Sequence, residues 1–455
     1  MNSLMLMATL AIVPQPQSFR ISGRALPDEG YRIRIDAEGK AKVEAADEAG
    51  RYYANVTLGQ LDGVKGPLEI EDWPRYSWRG VMLDESRFFF GKETVKAVLD
   101  EMARYKLNVF HWHLTDDQGW RIDVPGLPEI VQKGAVRAHS WKPLTENESD
   151  GTPYGPHFYT ADDVREVVAY ARARHIRVVP EIELPGHVGA LLASHPEFSC
   201  EGFLQPSKMP RCEVGISDIV LCAGNDEAIR VMERVLDEVT KLFPDSCMHI
   251  GGDECPKAKW KACAKCQARM KSLGLKDENS LQAWLTRHFV GYLKAKGRRV
   301  VGWDEILEGG ELDPSAIVQC WRPAGWVGTG GTVAETPGGV AVGRGHDIIV
   351  SPVDVTYFSM PWAKDCNRIC WRRPLDSYCE DELVTIEKLK AFDPATSAGT
   401  TNRVHVLGAE GCNWTEGTRD AATLKAKMWP RTAVLAETLW TGAGQSDASH
   451  RASGF

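Results

Sequence analysis

The sequence predicts an α/β protein built on a (β/α)8 TIM barrel, with a small α+β domain in front of it. Two observations point there. From Trp78 onward, apolar runs of strand length alternate with amphipathic helical stretches, and eight such units in about 370 residues suit a barrel with long loops. Just past these runs stand acids, an Arg, a His and aromatics, and in this fold chemistry gathers at the C-terminal strand ends.

Residues 1–75 read as a small non-catalytic α+β domain, and 76–455 as the catalytic barrel. Tyr31–Ile35 alternates apolar and polar, Gly39 turns the chain, and Ala41–Ala45 alternates again, which predicts a hairpin. Glu48–Leu61 follows as a covering helix with Asp47 as its N-cap. In the barrel, Arg79–Leu83 is the first predicted strand, Lys92–Tyr105 the first helix and Asn108–Leu114 the second strand. Thr160–Arg174 is a helix capped by Thr160, feeding the strand Arg177–Glu181. Asn225–Phe243 is the clearest helix, with Ile229, Met232, Val235, Leu236 and Val239 on one face, and it leads into the strand Cys247–Ile250. Ser280–Lys296 is a helix before the strand Arg299–Trp303. Runs at Ala316–Trp321, Asp347–Ser351 and Val404–Gly408 complete the eight, with weak helical signal between them.

The chain has 54 basic and 62 acidic residues, a net charge of −8, which argues against nucleic acid or an anionic membrane as main partner. Apolar residues at 43% allow a sizeable core, and no run reaches membrane-spanning length. Trp is abundant, at 15 residues, and indoles stack on the apolar faces of sugar rings as well as filling cores. The run Leu4–Val13 has no Lys or Arg before it and no small-residue cleavage site, so no signal peptide is evident.

The predicted strand at Met248 ends in Gly251 and Gly252, and Asp253 and Glu254 stand side by side just beyond. Two adjacent carboxylates there either cap the helix expected near Pro256 or hold two charges at the barrel rim, where a substrate can meet them. The other strand ends supply Asp84 and Arg87, Asp116 and Asp117, Glu181, Glu183 and His187. They continue with Trp303, Asp304 and Glu305, then Trp321, Tyr357, and Glu410, Trp414 and Glu416.

Six stretches together resemble the family 20 glycoside hydrolases, the β-N-acetylhexosaminidases. They are Arg79-Gly-Val-Met-Leu-Asp-Glu-Ser-Arg87, His111-Trp-His-Leu-Thr-Asp-Asp-Gln-Gly-Trp-Arg121, Pro180-Glu-Ile-Glu-Leu-Pro-Gly-His187, His249-Ile-Gly-Gly-Asp-Glu254, Gly302-Trp-Asp-Glu305 and Trp414-Thr-Glu416. The N-terminal unit resembles that family's α+β domain in shortened form. The resemblance implies an exo-acting retaining enzyme that releases terminal β-linked GlcNAc or GalNAc from a glycan and needs no cofactor or metal. Its nucleophile is the substrate's own 2-acetamido oxygen, which closes an oxazolinium ring on the anomeric carbon.

Carried onto this sequence, the family pattern makes Glu254 the general acid. Asp253 orients the acetamide N–H and offsets the developing positive charge, and Tyr357 donates to the acetamido oxygen. Asp116 and His187 form a relay behind Glu254, although a His in Pro-Gly-His also suits a structural role. The neighbouring charge of Asp253 is expected to keep Glu254 protonated until it is used. Arg87 matches the Arg that forks onto the 3- and 4-hydroxyls. Trp303, Trp321 and Trp414 match the aromatic walls, and Glu416 the acid that takes the 4- and 6-hydroxyls. The family commonly has Asp two residues after its Tyr; here it is Ser359, which leaves the choice between gluco and galacto sugars open. A related lacto-N-biosidase and an inactive sugar-binding protein are the rival readings, the second disfavoured by the intact Asp253–Glu254 pair.

Of 12 Cys, Cys255, Cys263 and Cys266 form one cluster, with Cys263-Ala-Lys-Cys266 a CxxC, and Cys366, Cys370 and Cys379 a second. A CxxC serves zinc, a redox pair or a disulfide. No second CxxC or close His completes a four-ligand set in sequence, so structural disulfides or free thiols are expected, with a metal site as the lesser alternative. The expected location is secreted or periplasmic; the oligomeric state is left open.

Overall fold

The computed structural model describes residues 12–61, 63–145, 148–202, 204, 210–328, 331–332, 335–363 and 382–443. Most of the apolar run Leu4–Val13 lies outside them.

The N-terminal part is a three-stranded antiparallel sheet with β1 (Tyr31–Ile35) in the centre, flanked by β2 (Ala41–Ala45) and β3 (Leu68–Asp72). Helix α1 (Glu48–Gln60) covers it, and Asp47 caps α1 by accepting from the Gly50 N–H. The hairpin and helix follow the alternation. β3 escaped prediction because its five residues, LEIED, carry three acids, two of them buried against the partners they neutralise. Glu71 pairs with Arg32 at 2.6 Å, and Asp72 with Lys106 at 3.1 Å.

Eight parallel strands close into a barrel in sequence order: β4 (Trp78–Asp84), β5 (Val109–His113), β6 (Arg177–Glu181), β7 (Cys247–His249), β8 (Arg299–Trp303), β9 (Ile317–Cys320), β10 (Ile348–Val350) and β11 (Val406–Asn413). Seven lie where the apolar runs predicted. The eighth, expected at Val404–Gly408, runs further, because Glu410, Gly411 and Asn413 pair with β4 although they look like strand-ending residues. Glu410 is therefore a barrel-core residue and not a rim acid.

The outer helices form as their periodicity dictates. Asp226–Leu242 buries Ile229, Met232, Val235, Leu236 and Val239 on the barrel and is capped by Asn225. Ala161–Arg172 begins with a reciprocal capping box between Thr160 and Asp163. After β8 only a short 3-10 turn, Asp304–Leu307, precedes β9, and among the described residues the helices between β9 and β11 have seven residues or fewer. The weak helical signal there reflects weak helices.

Inside, the lower end of the barrel is filled by Trp78, Val109, Val179, Cys247, Val301, Ile317 and Ile349. Above that apolar layer the interior turns polar. Glu410 accepts from Trp78 Nε1 at 2.6 Å and Gln319 Nε2 at 3.0 Å, and meets His111 Nδ1 at 3.0 Å. Glu181 meets His111 at 3.1 Å and His249 at 2.7 Å, accepts from Trp303 Nε1 at 2.8 Å, and is bonded by His113. Buried carboxylates persist here because each has several donors.

Candidate active site

At the C-terminal end of the strands the polar core opens into a cavity of about 240 Å³. Arg87, Asp116, His187, Asp253, Glu254, Trp321, Tyr357, Ser359, Trp414 and Glu416 all contribute to its lining. Nine of the ten residues predicted for the site thus meet in one place, together with Ser359.

Asp253 and Glu254 reach it because β7 ends in a sharp turn. Gly251 has φ +66° and Gly252 φ +104°, and Glu254 itself is held at φ +42°. The helix that follows, Ala258–Ala262, has Lys257 at its N-cap position, so neither carboxylate is a helix cap. His187, also at positive φ (+51°), sits behind the pair. Its Nε2 is 3.6 Å from Asp253 Oδ2 and 3.6 Å from Glu254 Oε2, while Nδ1 faces Asp116 at 3.3 Å and Asp117 at 3.5 Å. Asp116 is met in turn by Arg87 at 2.7 Å and by His113 Nε2 at 3.0 Å. A continuous chain of ionisable groups therefore runs from Glu410 through His111, Glu181, His113, Asp116 and His187 to Asp253 and Glu254.

These groups set one another's protonation. Burial works against charge on Asp116, but Arg87 and His187 outweigh it and hold the carboxyl well below its ordinary value. Burial likewise disfavours charge on His187, and Asp116 more than compensates, raising it well above an ordinary His. Asp253 is pushed up to about 7 by burial, with His187 opposing and the charge of Glu254 adding to the rise.

Arg87 is aimed by its neighbours. Asp84 accepts from the Arg87 and Thr415 backbone N–H groups, and Gln118 Oε1 accepts from Arg87 Nε at 2.9 Å. The guanidinium lies 5.1 Å from the Trp414 ring. Trp321 and Tyr357 are near-parallel with centroids 6.3 Å apart, and the Tyr357 and Trp414 centroids are 6.1 Å apart.

Trp303 departs from expectation. It packs on Trp414 but does not line the cavity, because its N–H is drawn down onto Glu181, so it supports the floor and forms no wall. Trp326, which stands edge-on to Trp321 at 5.3 Å, lines the cavity and was missed. No local pattern marks it. Asp304 and Glu305, read from sequence as rim acids, instead fix Trp321: Glu305 accepts from Trp321 Nε1 at 2.9 Å and Asp304 from its backbone N–H at 2.9 Å. His111, His113 and His249 were also overlooked as part of the site's foundation, since each is one inward residue within a strand.

Of the two expected states, disulfides or free thiols, the described cysteines are in the second. The nine cysteines among the described residues are unpaired, and Cys366, Cys370 and Cys379 lie outside those residues. Cys255 stands apart from the CxxC, which is joined instead by Cys200 and Cys222. Among the described residues no helix is long and apolar enough to cross a membrane.

An eight-stranded barrel bearing two adjacent carboxylates in an aromatic-walled cavity is an arrangement suited to holding a sugar beside two acids. Residues 76–443 match the model of the glycosyl hydrolase family 20 catalytic domain, and the chain belongs to that family. It is 37% identical over 445 residues to a β-hexosaminidase of Porphyromonas gingivalis, covering 93% of this chain and 52% of that protein. It thus spans about half the length of that relative. It superposes on the crystal structure of a β-N-acetylhexosaminidase with a TM-score of 0.83, at 28% identity over 97% of this chain and 93% of the other. The exo-β-N-acetylglucosaminidase of Vibrio harveyi, solved with N-acetylglucosamine, gives a TM-score of 0.80 at 26% identity, covering 97% and 75%.

Proposed function

We propose that this chain is an exo-acting, retaining β-N-acetylhexosaminidase that hydrolyses terminal non-reducing β-linked GlcNAc or GalNAc by substrate-assisted catalysis. The observation that carries this reading is the Asp253–Glu254 pair at one wall of a small cavity, backed by His187 and faced by Tyr357 and three Trp side chains. At about 240 Å³ the cavity is smaller than a typical drug-sized pocket and suits one sugar unit with its acetamido group. That size supports removal of terminal residues, in keeping with the exo activity and bound N-acetylglucosamine of the Vibrio harveyi relative.

Glu254 protonates the leaving oxygen. Its side chain is the more exposed of the two, at 29% against 11% for Asp253, and so faces the departing group. Asp253, more deeply set, accepts the acetamide N–H and offsets the charge of the oxazolinium ring. Tyr357 keeps its proton, since burial raises it well above its ordinary value, and donates to the acetamido oxygen. Arg87 and Glu416 take the outer hydroxyls. Asp116 keeps His187 positively charged behind the pair. After cleavage Glu254 receives the proton of the incoming water, and retention follows from two inversions at the anomeric carbon.

The test is hydrolysis of β-linked GlcNAc substrates by wild type and Glu254→Gln. The variant should lose about three orders of magnitude or more in kcat on poor leaving groups and much less on activated aryl glycosides, which need little protonation. Equal losses on both would remove Glu254 from the acid role.

A further inference from the structure

We infer that Cys200, Cys222, Cys263 and Cys266 form a tetrathiolate zinc site that clamps the loop carrying His187 to the loop carrying Asp253 and Glu254. All four side chains are buried, and their sulfurs lie within 4.8 Å of one another. Cys222 Sγ is 3.6 Å from Cys266 and 3.7 Å from Cys263, and Cys200 is 3.8 Å from Cys266. A tetrahedral zinc with bonds of about 2.3 Å sets its sulfurs about 3.8 Å apart, so the cluster already has the dimensions of a closed structural site. The other described buried cysteines, Cys247, Cys255, Cys320 and Cys412, join no such group. Four sulfurs with no oxygen or nitrogen among them are a soft donor set, which selects zinc over magnesium or calcium.

Cys263 is the N-cap of the helix Ala264–Leu273, so Cys266 sits in its first turn, where backbone N–H groups favour negative charge. The Gly224 N–H bonds the Cys222 sulfur. The turn after Cys222 lies directly on the CxxC turn: a Cβ on Gly224 would stand 2.3 Å from the Lys265 carbonyl carbon and 2.5 Å from the Cys266 nitrogen. Only glycine permits that approach.

Each loop supplies two ligands. Cys200 and Cys222 flank the excursion that leaves β6 after His187, and the Leu221 N–H returns to the Pro185 carbonyl at 2.9 Å. Cys263 and Cys266 follow Glu254 on the excursion from β7. Trp260 Nε1 donates to the Leu221 carbonyl at 2.9 Å, and Lys265 pairs with Glu201 at 2.7 Å, so the same two loops are also tied directly. The two ligands missing from the sequence pattern are single cysteines, brought to the CxxC only by the barrel.

Protein purified without added metal should contain about one zinc per chain by elemental analysis. Its zinc K-edge absorption should fit four sulfurs at about 2.3 Å. Cys200→Ser and Cys266→Ser should lose the metal and lower the Tm by about 5 °C or more, while Cys247→Ser keeps both. Stripping zinc with a chelator and a thiol reagent should reduce hydrolysis at least tenfold. Less than about 0.1 zinc per chain in wild type, whether with free thiols or with Cys200–Cys266 and Cys222–Cys263 disulfides in peptide maps, would overturn the site. This wild-type measurement decides the matter even where a variant fails to fold.

Discussion

Asp253 shows how much a single position in this site depends on its neighbours. Its rise to about 7 comes first from burial, with the charge of Glu254 adding to it and His187 opposing. The role proposed for Asp253 needs the anion, which is present above the raised value and lost as pH falls through it. We therefore expect kcat/KM to fall about tenfold per pH unit below roughly pH 7. A rate that stayed constant from about pH 7 down to about pH 5 would show that Asp253 is not the group that limits the acidic side. Ser359 is the other telling residue, half-buried on the cavity wall with Glu416. An equatorial and an axial 4-hydroxyl point in different directions, so two fixed anionic acceptors discriminate between them, and Ser supplies no second charge. A charge-assisted hydrogen bond contributes about 1.5–3 kcal/mol. GlcNAc and GalNAc substrates should thus differ by less than about tenfold in kcat/KM, and Ser359→Asp should sharpen the preference for GlcNAc. A wild type already selective by about a hundredfold would mean another group does this work; Lys364 and Asp365, the nearest charged candidates in sequence, lie outside the described residues. The acids, Arg87 and His187 were legible because short motifs carry them, whereas Trp326 was not, because only the fold brings it beside Trp321.

The turn after β7 is the element that converts a barrel strand into a site. Gly251 and Gly297 have similar backbone angles, φ +66° and +74°, but different surroundings. A Cβ on Gly251 would lie 1.7 Å from Glu183 Oε2, a carboxyl that burial and then Asp253 raise well above its ordinary value. A Cβ on Gly297 meets nothing within 4 Å. Both Ala variants bear the backbone strain, about 1–3 kcal/mol. Only Gly251→Ala must also displace Glu183 and with it the carboxylate pair. We expect Gly297→Ala to lower Tm with kcat/KM intact, and Gly251→Ala to lower both, kcat/KM by about a hundredfold. Equal activity in the two would mean the turn does not position the carboxylates. Strands and long helices were legible here because periodicity is a local signal. The true extent of β11 was not, since its polar half is tolerated only where His111, Trp78 and Gln319 satisfy Glu410.

Across the whole molecule, the N-terminal sheet is joined to the barrel near the starts of β4 and β5, away from the cavity. Arg79, inside the first family motif, serves that junction and not the site: it donates to Glu29, to Tyr53 and to the Lys106 carbonyl, and lies over the Trp440 ring. Lys106 is wholly buried between β3 and the barrel. Its ammonium donates to Tyr31 at 2.8 Å, pairs with Asp72 at 3.1 Å and stands 4.5 Å from the Trp440 ring centroid. Asp72 also accepts from Trp440 Nε1 at 2.7 Å, so one carboxylate joins sheet, barrel and the last helix, Arg431–Thr441. Burial lowers Lys106 and Asp72 opposes it, which means the ammonium depends on this partner to stay charged. Removing one member of such a pair costs about 3–5 kcal/mol, whereas replacing both with neutral groups of similar size costs far less. Asp72→Asn should therefore shift the denaturant midpoint strongly, and Asp72→Asn with Lys106→Met should recover most of the loss. Because buried ion pairs and the last helix tie the sheet to the barrel, Trp fluorescence and hydrolysis should report one coincident transition. If instead the sheet melted first with hydrolysis intact, it would be an appendage and Asp72 would stabilise only the sheet.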